Sequence, residues 1–340
     1  MILARRRRFV ERAAKDEFHL ANYSVEPQHN EDRSIPMKTS SPAAISFEHP
    51  GGNLVSVRNT QLWVETEGQG EPLILLPGGP ANSHVCFHPY FSVLADQRRI
   101  IYYDYRGRGR SDRSENVNDI TFKGDVEDLE ALRQKLGLEK ISLYGFSYGG
   151  LIAQAYALEY PSHVAHLILA NTLHGPEMWQ RNHENINREL DNQYPEVWGR
   201  IESLRAEGRL TSDSELQSFF VKHGPLIRWY NPENAAKLAT EANARNPELY
   251  FAFTGVDVDF IIGGQVAQIP DFRPRLKELS MPVLILAGRH DRALYPKLQM
   301  DFKRFCPQAQ FVMLERSGTF GHVEEPDVVM SLVREFLARL

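Results

Sequence analysis

Short apolar runs recur along the chain at Leu73–Leu76, Ile100–Tyr103, Ile141–Tyr144, His166–Leu169, Pro282–Leu286 and Phe311–Leu314. Runs this short and this uniformly apolar predict strands covered on both faces rather than strands with one wet side. Between them lie helical patterns. Val126, Leu129, Leu132 and Leu136 recur at spacings of three and four, with Gly137 as a stop. Strand and helix alternating in this way predict an α/β fold, a mostly parallel sheet with helices on both faces and right-handed crossovers.

The alternation lapses between residues 174 and 270, where Met178, Trp179, Tyr194, Val197, Trp198, Ile201 and Leu204 fall at helical spacing. A helical cap over 174–270, inserted between two sheet strands, is expected, with the core formed by 45–173 and 271–340. Placed after the C-terminal end of a strand, such an insertion covers the site as a lid. Residues 1–44 are polar, open on Arg5–Arg8 and scatter Pro27, Pro36 and Pro42. They are expected to form a mobile tail.

Composition narrows the class. The chain has 340 residues and a formal net charge of −5, so no basic face announces nucleic-acid binding. No apolar run reaches the roughly 18–20 residues of a membrane helix. Two cysteines, Cys86 and Cys306, make no disulfide framework and suit a reducing, cytoplasmic setting. The histidines and cysteines are not read as a metal-ligand set, and Gly107-Arg108-Gly109 lacks the third glycine of a dinucleotide fingerprint. No cofactor or metal is therefore expected. The expected partner is a small-molecule or short-peptide substrate, with no nucleic acid and no membrane.

Gly145-Phe146-Ser147-Tyr148-Gly149 follows a strand and opens a helical run. This is the context in which G-x-S-x-G presents a serine on a sharp turn, with the next N–H, that of Tyr148, facing the same space. Pro77-Gly78-Gly79-Pro80 closes an earlier strand, and its Gly79 N–H is expected to supply the second oxyanion donor. Asp291 follows the strand at 282–286 and can orient a histidine. The order serine, aspartate, later histidine is that of an α/β-hydrolase triad. His290 is expected to pack or face solvent, His84 is open between lining the pocket and packing, and Cys86 is expected to be a small buried hydrophobe.

From about residue 50 onward the chain resembles the α/β-hydrolase superfamily, and within it the proline iminopeptidase family of serine peptidases. The residues that carry the resemblance are Gly78-Gly79-Pro80, Asp104-Tyr105-Arg106-Gly107-Arg108-Gly109-Arg110-Ser111, Gly145 to Gly150, and Asn246-Pro247-Glu248-Leu249-Tyr250 with Phe260 to Gly264. The resemblance implies a cofactor-free serine hydrolase working through an acyl-enzyme and releasing N-terminal proline or another amino acid from short peptides or amides.

Three departures stand out. Pro77 replaces the family's usual histidine. Arg292 stands where relatives tend to carry a glutamate that holds the substrate's amino terminus, which suits an anionic group instead and makes an esterase or lactonase the runner-up. Asp259 is the remaining acidic candidate for substrate binding. Third, many α/β-hydrolases place the catalytic histidine seven residues before a proline such as Pro326, and that position is Thr319. His322 is four residues before it and is favoured as the base by a small shift of register. A site that has lost its histidine, serving as a non-hydrolytic or binding module, is the alternative of another class.

Overall fold

The structure, a computed structural model, describes residues 48–339. The expected tail at 1–44 lies outside the described residues. Eight strands form one sheet: β1 (Gly52–Val57), β2 (Thr60–Glu67), β3 (Pro72–Leu76), β4 (Arg99–Tyr103), β5 (Ile141–Phe146), β6 (Val164–Ala170), β7 (Val283–Gly288) and β8 (Gln310–Leu314). Their spatial order is β1-β2-β4-β3-β5-β6-β7-β8. β1 and β2 pair antiparallel, as do β2 and β4, and every pairing from β4 to β8 is parallel.

Five of the six apolar runs lie in inner strands, and their alternate residues feed two separate cores. The sixth, Phe311–Leu314, lies in the edge strand β8, whose first four residues are only partly buried because no described strand covers its outer side. Ile74, Leu76, Leu143, Leu167 and Ile285 join one cluster with α1 (Phe122–Lys135) and α2 (Tyr148–Glu159). Leu73, Leu75, Tyr144, Ile168 and Leu284 join the other, beneath α10 (Pro326–Leu337). Every residue of β5 and of β7 is buried, as strands with helices on both faces require. Thr121 caps α1 by accepting the Gly124 N–H at 3.0 Å, and Gly137 follows the helix at a φ of 67°.

Between β6 and β7 the described chain holds α3 (Pro176–Gln193), α4 (Pro195–Ala206), α5 (Ser214–Arg228) and α6 (Pro247–Thr254), with no strand of the sheet. α3, α4 and α5 share a small core of their own around Ile186, Leu190, Ile201, Leu204 and Leu216. Beyond β7 come the short helices α7 (Pro296–Met300), α8 (Phe302–Phe305) and α9 (Gly321–Glu324).

Arg108 ties the loop after β4 to this framework. Fully buried, it makes two bonds to Asp125 of α1 at 2.9 and 2.8 Å and donates Nε–H to the Pro80 carbonyl at 2.7 Å. The Tyr148 hydroxyl donates to the same carboxylate at 2.6 Å. Removing one partner of a buried, bonded pair costs about 3–5 kcal/mol, because the other charge is left without compensation. Arg108→Met is therefore expected to lose stability of that order in urea unfolding, and adding Asp125→Leu to recover a good part of it. Additive losses in the double variant would refute the coupling.

Candidate active site

Ser147 sits between β5 and α2 at φ 51° and ψ −116°, a backbone region that costs a non-glycine residue about 1–3 kcal/mol. The neighbouring glycines make the turn sterically feasible. A Cβ on Gly149 would lie 2.0 Å from the Leu76 carbonyl oxygen, and one on Gly145 2.6 Å from Gly150 Cα. Ser147 N–H donates to the Ala170 carbonyl at 3.0 Å, pinning the turn to the end of β6.

Ser147 opens on a cavity of about 390 Å³ whose walls include Gly78, Gly79, Thr319 and residues of α3, α5 and α6. Gly79 holds a φ of 63°, which keeps the loop after β3 tightly turned against this space. Tyr148 is the first residue of α2, where an N–H has no acceptor inside the helix. The sequence reading thus finds Gly79 on the cavity with Ser147, and Tyr148 at the helix end beside it.

Asp291 follows β7 and is fully buried. Its Oδ1 accepts the Ala293 and Leu294 N–H groups at 3.0 and 2.8 Å. Its Oδ2 accepts the Thr319 hydroxyl at 2.9 Å and the Asn171 amide at 3.3 Å. Among the described residues no imidazole reaches it. Thr319 occupies the position that faces both the carboxylate and the cavity, and its N–H is held by the Arg228 carbonyl at 2.7 Å.

The expected pairing of His322 with Asp291 is not formed. His322 lies within a short helical turn that starts at Gly321, and its ring packs into the second core. There it lies among Phe87, Phe91, Phe146 and Phe320, and its Nε2 is bonded to the Cys86 carbonyl at 3.1 Å. Nδ1 has no hydrogen-bond partner among the described residues. Burial holds the ring's pKa well below its ordinary value, at about 4. The sequence signal for this outcome was the seven-residue count back from Pro326, which points at Thr319.

The other candidates divide. Asp259 lines the cavity, but its carboxylate is engaged by the Nδ1 of His183 at 2.9 Å. His183, from α3, lines the cavity too and was not singled out in the sequence. Arg292 is not among the lining residues; its guanidinium lies 3.8 Å from Glu189 and bonds the Leu226 carbonyl. Arg228 and Arg245 are the arginines among the residues that line the cavity. His290 is exposed and packs on Tyr230, Cys86 is half-buried, and His84 is fully buried away from the cavity.

His84 also exposes an oversight. His84 and His88 are four residues apart, and the structure gathers them with His49 and Glu65 so that one ligand atom of each lies within 4.8 Å of the others. The H-x-x-x-H spacing was the available signal, but His49 and Glu65 come from separate parts of the chain.

A family model described as the alpha/beta hydrolase fold matches residues 71–326. The chain belongs to this family. Among curated relatives, a proline iminopeptidase of Heyndrickxia coagulans is 28% identical over 277 residues, covering 80% of this chain and 92% of the relative. Proline iminopeptidase PfmaB of Pestalotiopsis fici is 28% identical over 84% of this chain and 99% of its own length. Among solved structures, the proline iminopeptidase of Mycobacterium smegmatis aligns at a TM-score of 0.69 and 23% identity, covering 84% of this chain and 97% of that one.

The neutral, buried state of His322 has a measurable consequence. Below pH 6.5 an unfolded chain protonates this ring, whereas the folded chain does not until about pH 4, so folding stability is lost as the pH falls across that interval. The gap corresponds to on the order of 3 kcal/mol. Unfolding of His322→Asn, which keeps a donor for Cys86, is expected to lack this part of the acid slope. Parallel stability curves for the two proteins from pH 7 to 4 would contradict it.

Proposed function

We propose that this chain is a serine hydrolase that forms an acyl-enzyme at Ser147 and acts on the amino-terminal residue of short peptides or amides. The observation that carries this reading is Ser147 held at φ 51° on the cavity it shares with the Gly78-Gly79 loop. The curated relatives named proline iminopeptidase support the substrate class, with proline as the first residue to test. Ser147 Oγ attacks the substrate carbonyl carbon, and the N–H groups of Gly79 and Tyr148 hold the oxygen as it becomes negative, a contribution of several kcal/mol. The hydroxyl proton of Ser147 passes to the leaving amine as the C–N bond breaks, and water then cleaves the resulting ester, releasing the acid and returning a proton to Ser147 Oγ.

The proton step sets this chain apart. With Thr319 on Asp291, the carboxylate meets a hydroxyl in place of an imidazole. His322, the base favoured from the sequence, has a conjugate acid near pH 4 and is a weak acceptor at neutrality. Turnover is accordingly expected to be slow. Thr319→His, which puts an imidazole on Asp291, is expected to raise kcat on proline p-nitroanilide by about 100-fold, and Ser147→Ala to abolish it. Unchanged or lower turnover in Thr319→His would reject the assignment of that position. Failure of the parent to react with a fluorophosphonate would leave a binding module in its stead.

A second reading has its own observation. Arg228 and Arg245 face the cavity without a carboxylate partner among the described residues, and the carboxylate on the same wall is held by His183. This favours a small ester or lactone that carries an anionic group elsewhere in the molecule. Activity on short-chain p-nitrophenyl esters with none on any free-amino p-nitroanilide would transfer the assignment to it.

A further inference from the structure

Away from the cavity, three imidazoles converge on one carboxylate. Glu65 of β2 is fully buried, and its oxygens lie 2.8 Å from Nδ1 of His49, 3.1 Å from Nε2 of His88 and 3.3 Å from Nε2 of His84. The three ring centroids are 5.4, 5.5 and 5.9 Å apart, and the rings are steeply inclined to one another at 70°, 81° and 70° respectively. Edge-on contacts of this kind also occur in plain ring packing, but here one nitrogen of each ring and a carboxylate oxygen lie within 4.8 Å of one another, close enough to be drawn onto a single ion.

The outer contacts point the same way. Nδ1 of His84 is bonded to the Asp104 carboxylate at 2.8 Å, and Nε2 of His49 lies 3.4 Å from Glu241. A carboxylate behind the imidazole is the arrangement that fixes tautomer and ring orientation for a metal-bound histidine. The inward Nε2 of His84 is buried and, among the described residues, meets only the Glu65 carboxylate, at 3.3 Å and outside good hydrogen-bond geometry, so this nitrogen is poorly satisfied as it stands. Trp63 Nε1–H also donates to Glu65 at 2.8 Å. Arg110 approaches Glu65 at 3.6 Å and His49 Nε2 at 3.0 Å, so binding would require Nε2–H of His49 to turn to Glu241, which Arg110 already pairs at 2.8 Å.

We propose that His49, His84, His88 and Glu65 form a binding site for a divalent transition metal of the zinc class. Three neutral nitrogens and one carboxylate oxygen fit zinc, with Zn–N near 2.0–2.1 Å, and are too nitrogen-rich for magnesium or calcium. All four positions are filled by protein and none of these residues lines the Ser147 cavity, so the metal is structural. It joins the chain before β1 to β2 and to the turn that follows the Gly78-Gly79 loop.

The test uses the full chain, purified without a metal-chelating tag and stripped with a chelator. One zinc per chain is expected to be retained through gel filtration, with a rise in melting temperature on addition. Glu65→Gln and His88→Gln are each expected to weaken zinc binding at least about 100-fold, while His290→Gln, on the surface, leaves it unchanged. Cobalt(II) in the unaltered protein, which needs no variant to fold, is expected to give the intense visible bands of tetrahedral coordination without a thiolate charge-transfer band. No retained zinc, an octahedral cobalt spectrum, a thiolate band from nearby Cys86, or equal affinity in the variants would each overturn the site.

Discussion

The turn at Ser147 is the constraint on which the rest of the molecule depends. A serine at φ 51° and ψ −116° relaxes unless its surroundings leave no alternative. Here the loop after β3 passes so close to Gly149 that the β-carbon of any other residue would overlap the Leu76 carbonyl. Strain of about 1–3 kcal/mol is small beside the burial of β5, β6 and β3 on both faces, each large aliphatic side chain of which contributes roughly 1.5–3 kcal/mol. The parallel sheet therefore serves the chemistry by being stiff where the chain crosses from β5 into α2.

Much of this was legible in the sequence because it is local. Runs such as Val283–Leu286 carry their own signal for a doubly covered strand, and Gly145 to Gly149 places glycines where the backbone crowds. The helical insertion was visible from the loss of strand-like runs. What the sequence did not reveal depends on contacts between distant segments. Nothing local to Asp259 announces that His183 will take its carboxylate, and nothing local to Arg292 says that it will turn toward Glu189 while Arg228 and Arg245 reach the cavity.

The histidine question shows how register decides chemistry. Thr319 and His322 are three residues apart, less than one helical turn, and a loop can present either to Asp291. The choice follows from what precedes them. Gly288 and Gly318 cross so tightly that a Cβ on Gly288 would lie 1.9 Å from the Gly318 carbonyl, and Thr319 N–H is taken by Arg228. With residue 318 pinned against the end of β7, residue 319 must face Asp291. By residue 322 the chain has already turned into α9, and the imidazole enters an aromatic core that keeps it neutral.

One short segment joins these features. Residues 77–88 begin with the glycines that face Ser147, continue through the fully buried His84, present the Cys86 carbonyl to His322, and end at His88 beside Glu65. A loop with glycine at positive φ has little stiffness of its own, yet donors that stabilise an oxyanion must be fixed before the charge develops. Anchoring the far end of the segment to Glu65 of β2 and to Asp104, just beyond β4, supplies that rigidity from outside the cavity. The cluster at one end of the loop and the donors at the other are in this sense parts of a single positioning device. The acyl chemistry proposed at Ser147 is then sensitive to residues that never touch a substrate.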